Sequence, residues 1–309
     1  MEVLGCFWEQ PQGMPKFEVS RTETIAVPLR DVFEIVRDFH QWPKWSPWLI
    51  ADPECQLDID TDGYSWEGEI AGAGRMGVVG EVEDESVSYD LQFLKPFKSR
   101  AKVTMTFSRV KEKTEVTWTM DSSLPFFLFW MKKSMEGFIG MDYERGLLML
   151  KDLVEAGEVP SKLSFRGEEQ CEGFVGVGKK CTASLDDFED GMEANFQEVR
   201  KHYPEGVGFS LYYDWNVVKR SMTYLIGVQL EDAPEVIPDG MERVTVPAMD
   251  VYVVRHYGCY RHLGNGWAGG MMHGRAKQFK HSKKFPPFEI YETESKGNGA
   301  VVKICFPMK

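Results

Sequence analysis

The sequence lacks the signatures on which several function classes depend. Its six cysteines (Cys6, Cys55, Cys171, Cys181, Cys259 and Cys305) form no C-x-x-C pair and have no histidine at zinc-ligand spacing. That removes the usual structural-metal and disulfide frameworks and points to a reducing compartment. No apolar run approaches the roughly 20 residues of a membrane-spanning helix; the longest is Leu124 to Met131. The first residues, MEVLGCFWEQPQG, place Glu2 early and hold no apolar core, so they do not read as a signal peptide. The expected location is cytoplasmic. Basic residues are in deficit, 36 against 48 acidic, for a net charge of -12 and a pI near 5.1. Such a surface repels phosphate backbones, so no nucleic-acid partner is expected, and neither terminus offers spare length for a helix-turn-helix. No cofactor and no metal are expected either.

What is present is enough for two cores. The chain has 309 residues, of which 43% are hydrophobic and 13% aromatic, a length and composition that predict two domains. Charge divides unevenly along it: residues 1–163 carry 28 acidic and 18 basic side chains, the remainder 20 and 18.

Residues 17–28 read as a strand stopped by Pro28, and 31–39 as a short helix followed by the aromatic knot Trp42, Trp45 and Trp48. From about 54 to 121 the period becomes two. Tyr89, Leu91 and Phe93 share one strand face, Val103, Met105 and Phe107 another, and Val116, Trp118 and Met120 a third, which predicts an antiparallel meander. After Pro125 the chain reads as one long helix to about Ala156, with Leu147, Leu150 and Val154 as its stripe and Gly157 and Pro160 as stops.

The second half repeats an order. A strand at 174–177 leads to a helix with Leu185, Phe188, Met192, Phe196, Val199 and Tyr203 on one face, then strands at 209–214 and 222–229. A strand at 250–257, a helix near 263–279, and strands at 288–292 and 300–306 follow. Two β-α-β-β units predict an α+β domain with pseudo-two-fold symmetry and a cleft where the repeats meet. Residues 157–168 are expected to be the linker.

Phe33, the run W-P-K-W-S-P-W, Trp66-x-Gly68, Pro96-Phe97, Val116-Thr117-Trp118 and Glu144-Arg145-Gly146-Leu147 resemble the polyketide cyclase/START-like (SRPBCC) group over residues 17–156. The resemblance implies a helix-grip fold, a curved sheet around a long C-terminal helix with a deep apolar cavity between. Its members bind lipids, sterols, polyketides or hormones, as carriers or as enzymes. Residues 168–309 resemble the GyrI-like, AraC-type effector-binding domain, through Phe209–Asp214, Tyr224–Val228, His256-Tyr257-Gly258, Leu263 with Trp267, and Phe288–Tyr291. That resemblance implies small, often cationic or aromatic ligands in the cleft, and in a subset hydrolysis of strained rings by a Glu and an aromatic residue. The chain departs from it at Lys303, where many relatives are acidic.

Glu289 is the sharpest site candidate. It stands between Phe288 and Ile290 after two prolines, and in an aromatic cleft it would serve as a cation anchor or as a general base. Strand alternation alone would instead turn it to water. Tyr212, Tyr224, Trp267 and Tyr291 are its expected companions. In the first half, Trp66, Tyr89, Phe93 and Trp118 face the long helix as core or as cavity wall. Gly72–Gly77 spells G-x-G-x-x-G, but strand material follows it, so it is expected to be a hairpin turn rather than a nucleotide site. The expected partner is a small apolar or aromatic ligand. The expected function is to bind, sense or sequester that ligand, without a DNA-binding domain. The alternative is a hydrolase or cyclase with Glu289 as base. A protein partner has no specific support.

Overall fold

The computed structural model describes residues 16–232, 234–293 and 297–309, without the side chains of Phe126 and Glu189. Cys6 and the N-terminal segment lie outside the described residues.

The first half is a single antiparallel sheet closed by helices. In chain order it contains β1 (Lys16–Ile25), α1 (Leu29–Arg37), α2 (Trp42–Trp45), β2 (Gln56–Ile59), β3 (Gly63–Gly68), β4 (Gly72–Val82), β5 (Ser86–Lys95), β6 (Ser99–Val110), β7 (Lys113–Ser123) and α3 (Lys132–Ala156). The strands lie in the order β1-β7-β6-β5-β4-β3-β2. The alternating sets on β5, β6 and β7 point inward, with Val87, Tyr89, Val103, Met105, Val116 and Trp118 all buried, as half-solvated strands require. α3 lies across them. Tyr143 stacks on Trp118 with ring centroids 4.1 Å apart, and Gly146 makes room, since a Cβ there would stand 2.8 Å from the Trp118 ring. The buried stripe of α3 continues from Leu147 and Leu150 to Leu153 rather than Val154. The helix stops at Gly157, whose φ of 82° is left-handed. The segment 126–131 is a separate 3-10 turn before α3, not part of the helix.

The second half is an eight-stranded sheet with two helices on it. It contains β8 (Ser161–Cys171), β9 (Phe174–Ser184), α4 (Phe188–His202), β10 (Gly208–Asn216), β11 (Ser221–Leu230), β12 (Glu242–Val246), β13 (Met249–Gly258), α5 (Leu263–Arg275), β14 (Phe288–Tyr291) and β15 (Ala300–Pro307). The order is β12-β9-β11-β10-β14-β15-β13-β8. The expected linker at 157–168 is therefore mostly strand, because β8 pairs with β13 from Ser161 onward. As an edge strand rich in Lys, Arg and Glu, β8 carries only Leu163 and Phe165 as an apolar signal before Cys171, and charge of that kind is how edges avoid further pairing. β12 was equally hidden, its Val244 and Val246 alternation being only five residues long. Gly72–Gly77 lies inside β4 rather than in a turn, and strand, not helix, follows it.

α5 sits close to its sheet because its inner face is glycine. A Cβ at Gly270 would fall 2.1 Å from Phe306, and one at Gly266 2.5 Å from Ile304. Gly270→Ala is expected to force the helix outward and to cost about 1–3 kcal/mol, the usual cost of overpacking. Urea unfolding checks this; an unchanged midpoint would show that the helix has slack.

Candidate functional site

The two sheets and α3, α4 and α5 enclose one cavity of about 1140 Å³. Each second-half element contributes through its own periodicity. On α4, Phe188, Met192 and Phe196 recur every fourth residue; on α5, Leu263, Trp267 and Met271 do the same, in the row next to the glycines. The floor comes from β10 and β14, which pair with Ser210 opposite Glu289 and Gly208 opposite Tyr291. Side chains two apart on a strand share a face, so Tyr212 joins Ser210, and Tyr291 joins Glu289. Gly208 leaves space for the Tyr291 ring, since a Cβ there would lie 2.8 Å from it. The first half closes the cavity with Trp48, Phe93, Phe138, Met141, Asp142 and Arg145.

Glu289 borders this cavity yet exposes none of its surface. Three donors cover it. Trp267 Nε1–H donates to Oε1 at 2.5 Å, while the Tyr212 and Tyr291 hydroxyls donate to Oε2 at 2.7 and 2.9 Å. Ser210 Oγ lies 2.6 Å from the Tyr291 hydroxyl and extends the chain of hydrogen bonds. Burial pushes the Glu289 carboxyl above its ordinary value, and the three hydrogen bonds offset part of that push. Burial and the neighbouring carboxylate hold both tyrosines well above the ordinary phenol value, so they remain donors. The arrangement is a fixed acceptor behind ring faces, with Tyr212 and Trp267 in edge contact at 4.7 Å. A ligand in the cavity meets the rings first and the carboxylate behind them.

Of the residues expected from sequence, Glu289, Tyr212, Trp267, Tyr291 and Phe93 border the cavity, and Tyr224, Trp66, Tyr89 and Trp118 do not. Tyr224 is fully buried under α4, where Phe188 packs on it at 5.1 Å and Asn195 donates to its hydroxyl at 3.0 Å. Tyr89 is locked in the core with Phe39 and Trp42, its hydroxyl on the Val36 carbonyl at 3.3 Å. Trp118 is enclosed by Trp42, Trp45, Trp48 and Tyr143. Trp66 packs between Tyr64 and Phe93. Rings thus fill the space under α3 that was expected to be a first-half cavity, and the open volume lies between the two halves. Lys303 is remote from Glu289. It lies on the opposite face of β15, pairing with Glu169 at 2.7 Å, while Ile304 is the residue opposite Glu289.

Apart from Phe93, sequence reasoning missed the first-half wall and the contacts that hold it. Arg145 donates to Asn265 at 2.7 Å and to Asp142 at 2.6 Å, and Trp48 Nε1–H donates to the other Asp142 oxygen at 3.1 Å. Buried Asp152, on α3, accepts from Arg261 at 2.5 Å and lies 2.6 Å from buried His262. His273 takes the Tyr252 hydroxyl at 2.7 Å on one ring nitrogen and reaches the Ala51 carbonyl at 2.9 Å with the other. His256, His262 and His273, close in sequence, thus serve separate structural contacts, His256 being held by Ser161 at 3.1 Å. Burial drives the His256 pKa down to about 4.

Comparison with known proteins places only part of the chain. No curated protein matches it. Among solved structures, the EcmrR–DNA complex is 16% identical, with a TM-score of 0.38, over 58% of this chain and 68% of that one. A Mesorhizobium loti protein is 15% identical, with a TM-score of 0.36, over 45% of this chain and 96% of that one. The Aha1 dimer of Colwellia psychrerythraea is 14% identical, with a TM-score of 0.35, over 46% and 98%. No helix among the described residues is long and apolar enough to cross a membrane. Residues 16–155 match the model of the polyketide cyclase/dehydrase and lipid transport family. That match covers the sheet wrapped on α3, and the likeness holds for this first half of the chain alone.

Proposed function

We propose that the chain binds and sequesters or senses a small apolar or aromatic ligand, and that the ligand occupies the cavity shared by both halves. In this reading residues 17–156 form the helix-grip unit and 168–309 a duplicated β-α-β-β, GyrI-like unit, with no DNA-binding domain of its own and no nucleic-acid partner. The strand order of the second sheet supports the duplication: β9-β11-β10 and β13-β15-β14 meet in mirror order at the β10–β14 pair. One observation carries the ligand reading. A cavity of about 1140 Å³ is walled by rings and methionines, with one fully buried carboxylate behind the rings. That volume suits a ligand of drug-like size. Ring faces backed by a negative charge favour a cation, each face adding about 0.5–2 kcal/mol.

Fluorescence titration tests the reading, with the lipophilic cation N-methylacridinium set against uncharged 9-methylanthracene. The cation should bind at micromolar strength, about -8 kcal/mol. Phe93→Ala in the first half and Met192→Ala in the second should each weaken it about tenfold. Loss in only one of the two variants would confine the ligand to one half; no binding of either probe would end the carrier reading.

A second reading, a hydrolase acting on a small organic substrate, is favoured by the complete burial and raised pKa of Glu289. Burial makes such a carboxylate a stronger base than an exposed one, which suits it to take a proton from water. Glu289→Gln separates the two readings: loss of cation binding supports the first, loss of turnover with binding intact the second.

A further inference from the structure

Among the described residues, the most exposed rings are not used by the cavity. Phe97, Phe127 and Trp130 show 80%, 73% and 69% of their surface to solvent, and Phe129 59%. None of them is part of the cavity wall. Single exposed apolar residues need no explanation, but several large rings at one place do.

The register puts them at one place. β6 begins at Ser99 and β7 ends at Ser123, and the two run antiparallel with Lys102 opposite Asp121. The turn at 96–98 and the 3-10 turn Phe126–Met131 therefore leave the same end of the sheet. That end also supplies Gly72, Lys95 and Pro96 to the cavity wall, with Ala73 paired to Lys95. The exposed rings thus stand beside the rim of the cavity. Exposed Lys98 and Lys133 flank them in sequence, on a chain whose net charge is -12.

We propose that this tip docks on the surface of an anionic lipid bilayer. Phe97, Phe127 and Trp130 rest at the headgroup–acyl boundary, Lys98 and Lys133 lie against lipid phosphates, and the cavity rim faces the membrane. Aromatic rings favour that boundary, and lysines beside them are drawn to anionic headgroups. A second copy of the chain fits less well, because a two-fold contact between identical tips brings like lysines together. The proposal does not depend on Glu289 or on the charge of the ligand.

Vesicle co-sedimentation tests it, using phosphatidylcholine alone and roughly three parts phosphatidylcholine to one of phosphatidylserine. The wild type should partition onto the anionic vesicles about tenfold better than onto the neutral ones. The triple variant F97S/F127S/W130S should lose about tenfold or more on both. The pair K98E/K133E should abolish the preference for anionic vesicles. Thermal unfolding should be unchanged in both variants. A wild type that stays in the supernatant with both vesicles overturns the proposal, and so does a triple variant that co-sediments as well as the wild type. A concentration-dependent dimer in sedimentation velocity, dissolved by the triple variant in protein that ignores vesicles, would assign the tip to a second copy instead.

Discussion

Glu289→Gln is expected to weaken N-methylacridinium by about 10- to 150-fold, roughly 1.5–3 kcal/mol, and 9-methylanthracene by much less. The substitution keeps the shape and removes the charge. In the wild type Oε1 and Oε2 are already held by Trp267, Tyr212 and Tyr291, so the carboxylate acts on a ligand through the rings it polarises rather than by direct contact. At a separation of about 6 Å and an effective dielectric near 20, the Coulomb energy is of that same size. Acidification should act in the same direction. A cation requires the ionised carboxylate, and burial holds the Glu289 pKa above its ordinary value. Affinity is therefore lost as the pH falls through that raised value, earlier than for an exposed glutamate. The ligand-free protein should respond oppositely: the folded state binds this proton more tightly than the unfolded chain does, so the group's contribution to stability grows as the pH falls through the same window. If Glu289 is a general base, the variant should leave binding intact and lower turnover by about 10²–10⁴. Unchanged binding and unchanged turnover would leave it a structural carboxylate.

Asp152→Ala should be the most destabilising single change at the contact between the halves, costing about 3–5 kcal/mol. Asp152 and His262 are both buried, and Arg261 shares the same carboxylate oxygen. Burial pushes the His262 pKa down while Asp152 pulls it up. Removing the carboxylate leaves the buried imidazole without this partner, and such an orphaned group keeps its full desolvation cost, while the exposed Arg261 guanidinium turns to water. The reading is a urea midpoint and its slope. A fall in midpoint with an unchanged slope would mean one cooperative unit made less stable. A split into two transitions would mean that this contact is what makes the halves unfold together. A change under 1 kcal/mol would show that water replaces the carboxylate at little cost.

Much of the fold could be read from the residues because its elements are one-sided. Tyr89, Val103 and Trp118 alternate with polar neighbours since one sheet face meets α3 and the other meets water. Phe188, Met192 and Phe196 betray α4 by spacing alone. β8 and β12 could not be found in this way: as sheet edges they bury one row of side chains among charges, and their partners lie far along the chain. Glu289 was singled out by the resemblance rather than by its pattern, since strand alternation alone would turn it to water, and the structure buries it together with Phe288. Arg145, Asp142 and Trp48 had no signal of their own as cavity wall. A polar residue on an amphipathic helix reads as its wet side, and only the docking of the second half turns that side into a wall. The same reason left Trp118 and Tyr89 undivided between core and cavity wall, since sequence counts inward-facing rings but cannot show whether they fill the space.

The position of β8 imposes an order on the making of this protein. It follows α3 directly, yet its hydrogen-bonding partner is β13, with Leu163 opposite His256 and Cys171 opposite Met249. A ribosome therefore releases β8 long before the strand that completes it, while the seven-stranded sheet upstream already has every strand it needs. During that interval β8 is an open edge tethered to a finished domain. Its Lys, Arg and Glu side chains are what keep such an edge from pairing with a neighbouring nascent chain. Sequence-distant closure of this kind slows the last step of folding. The second sheet is thus committed from its far end, and a chain truncated before β13 would expose that edge permanently.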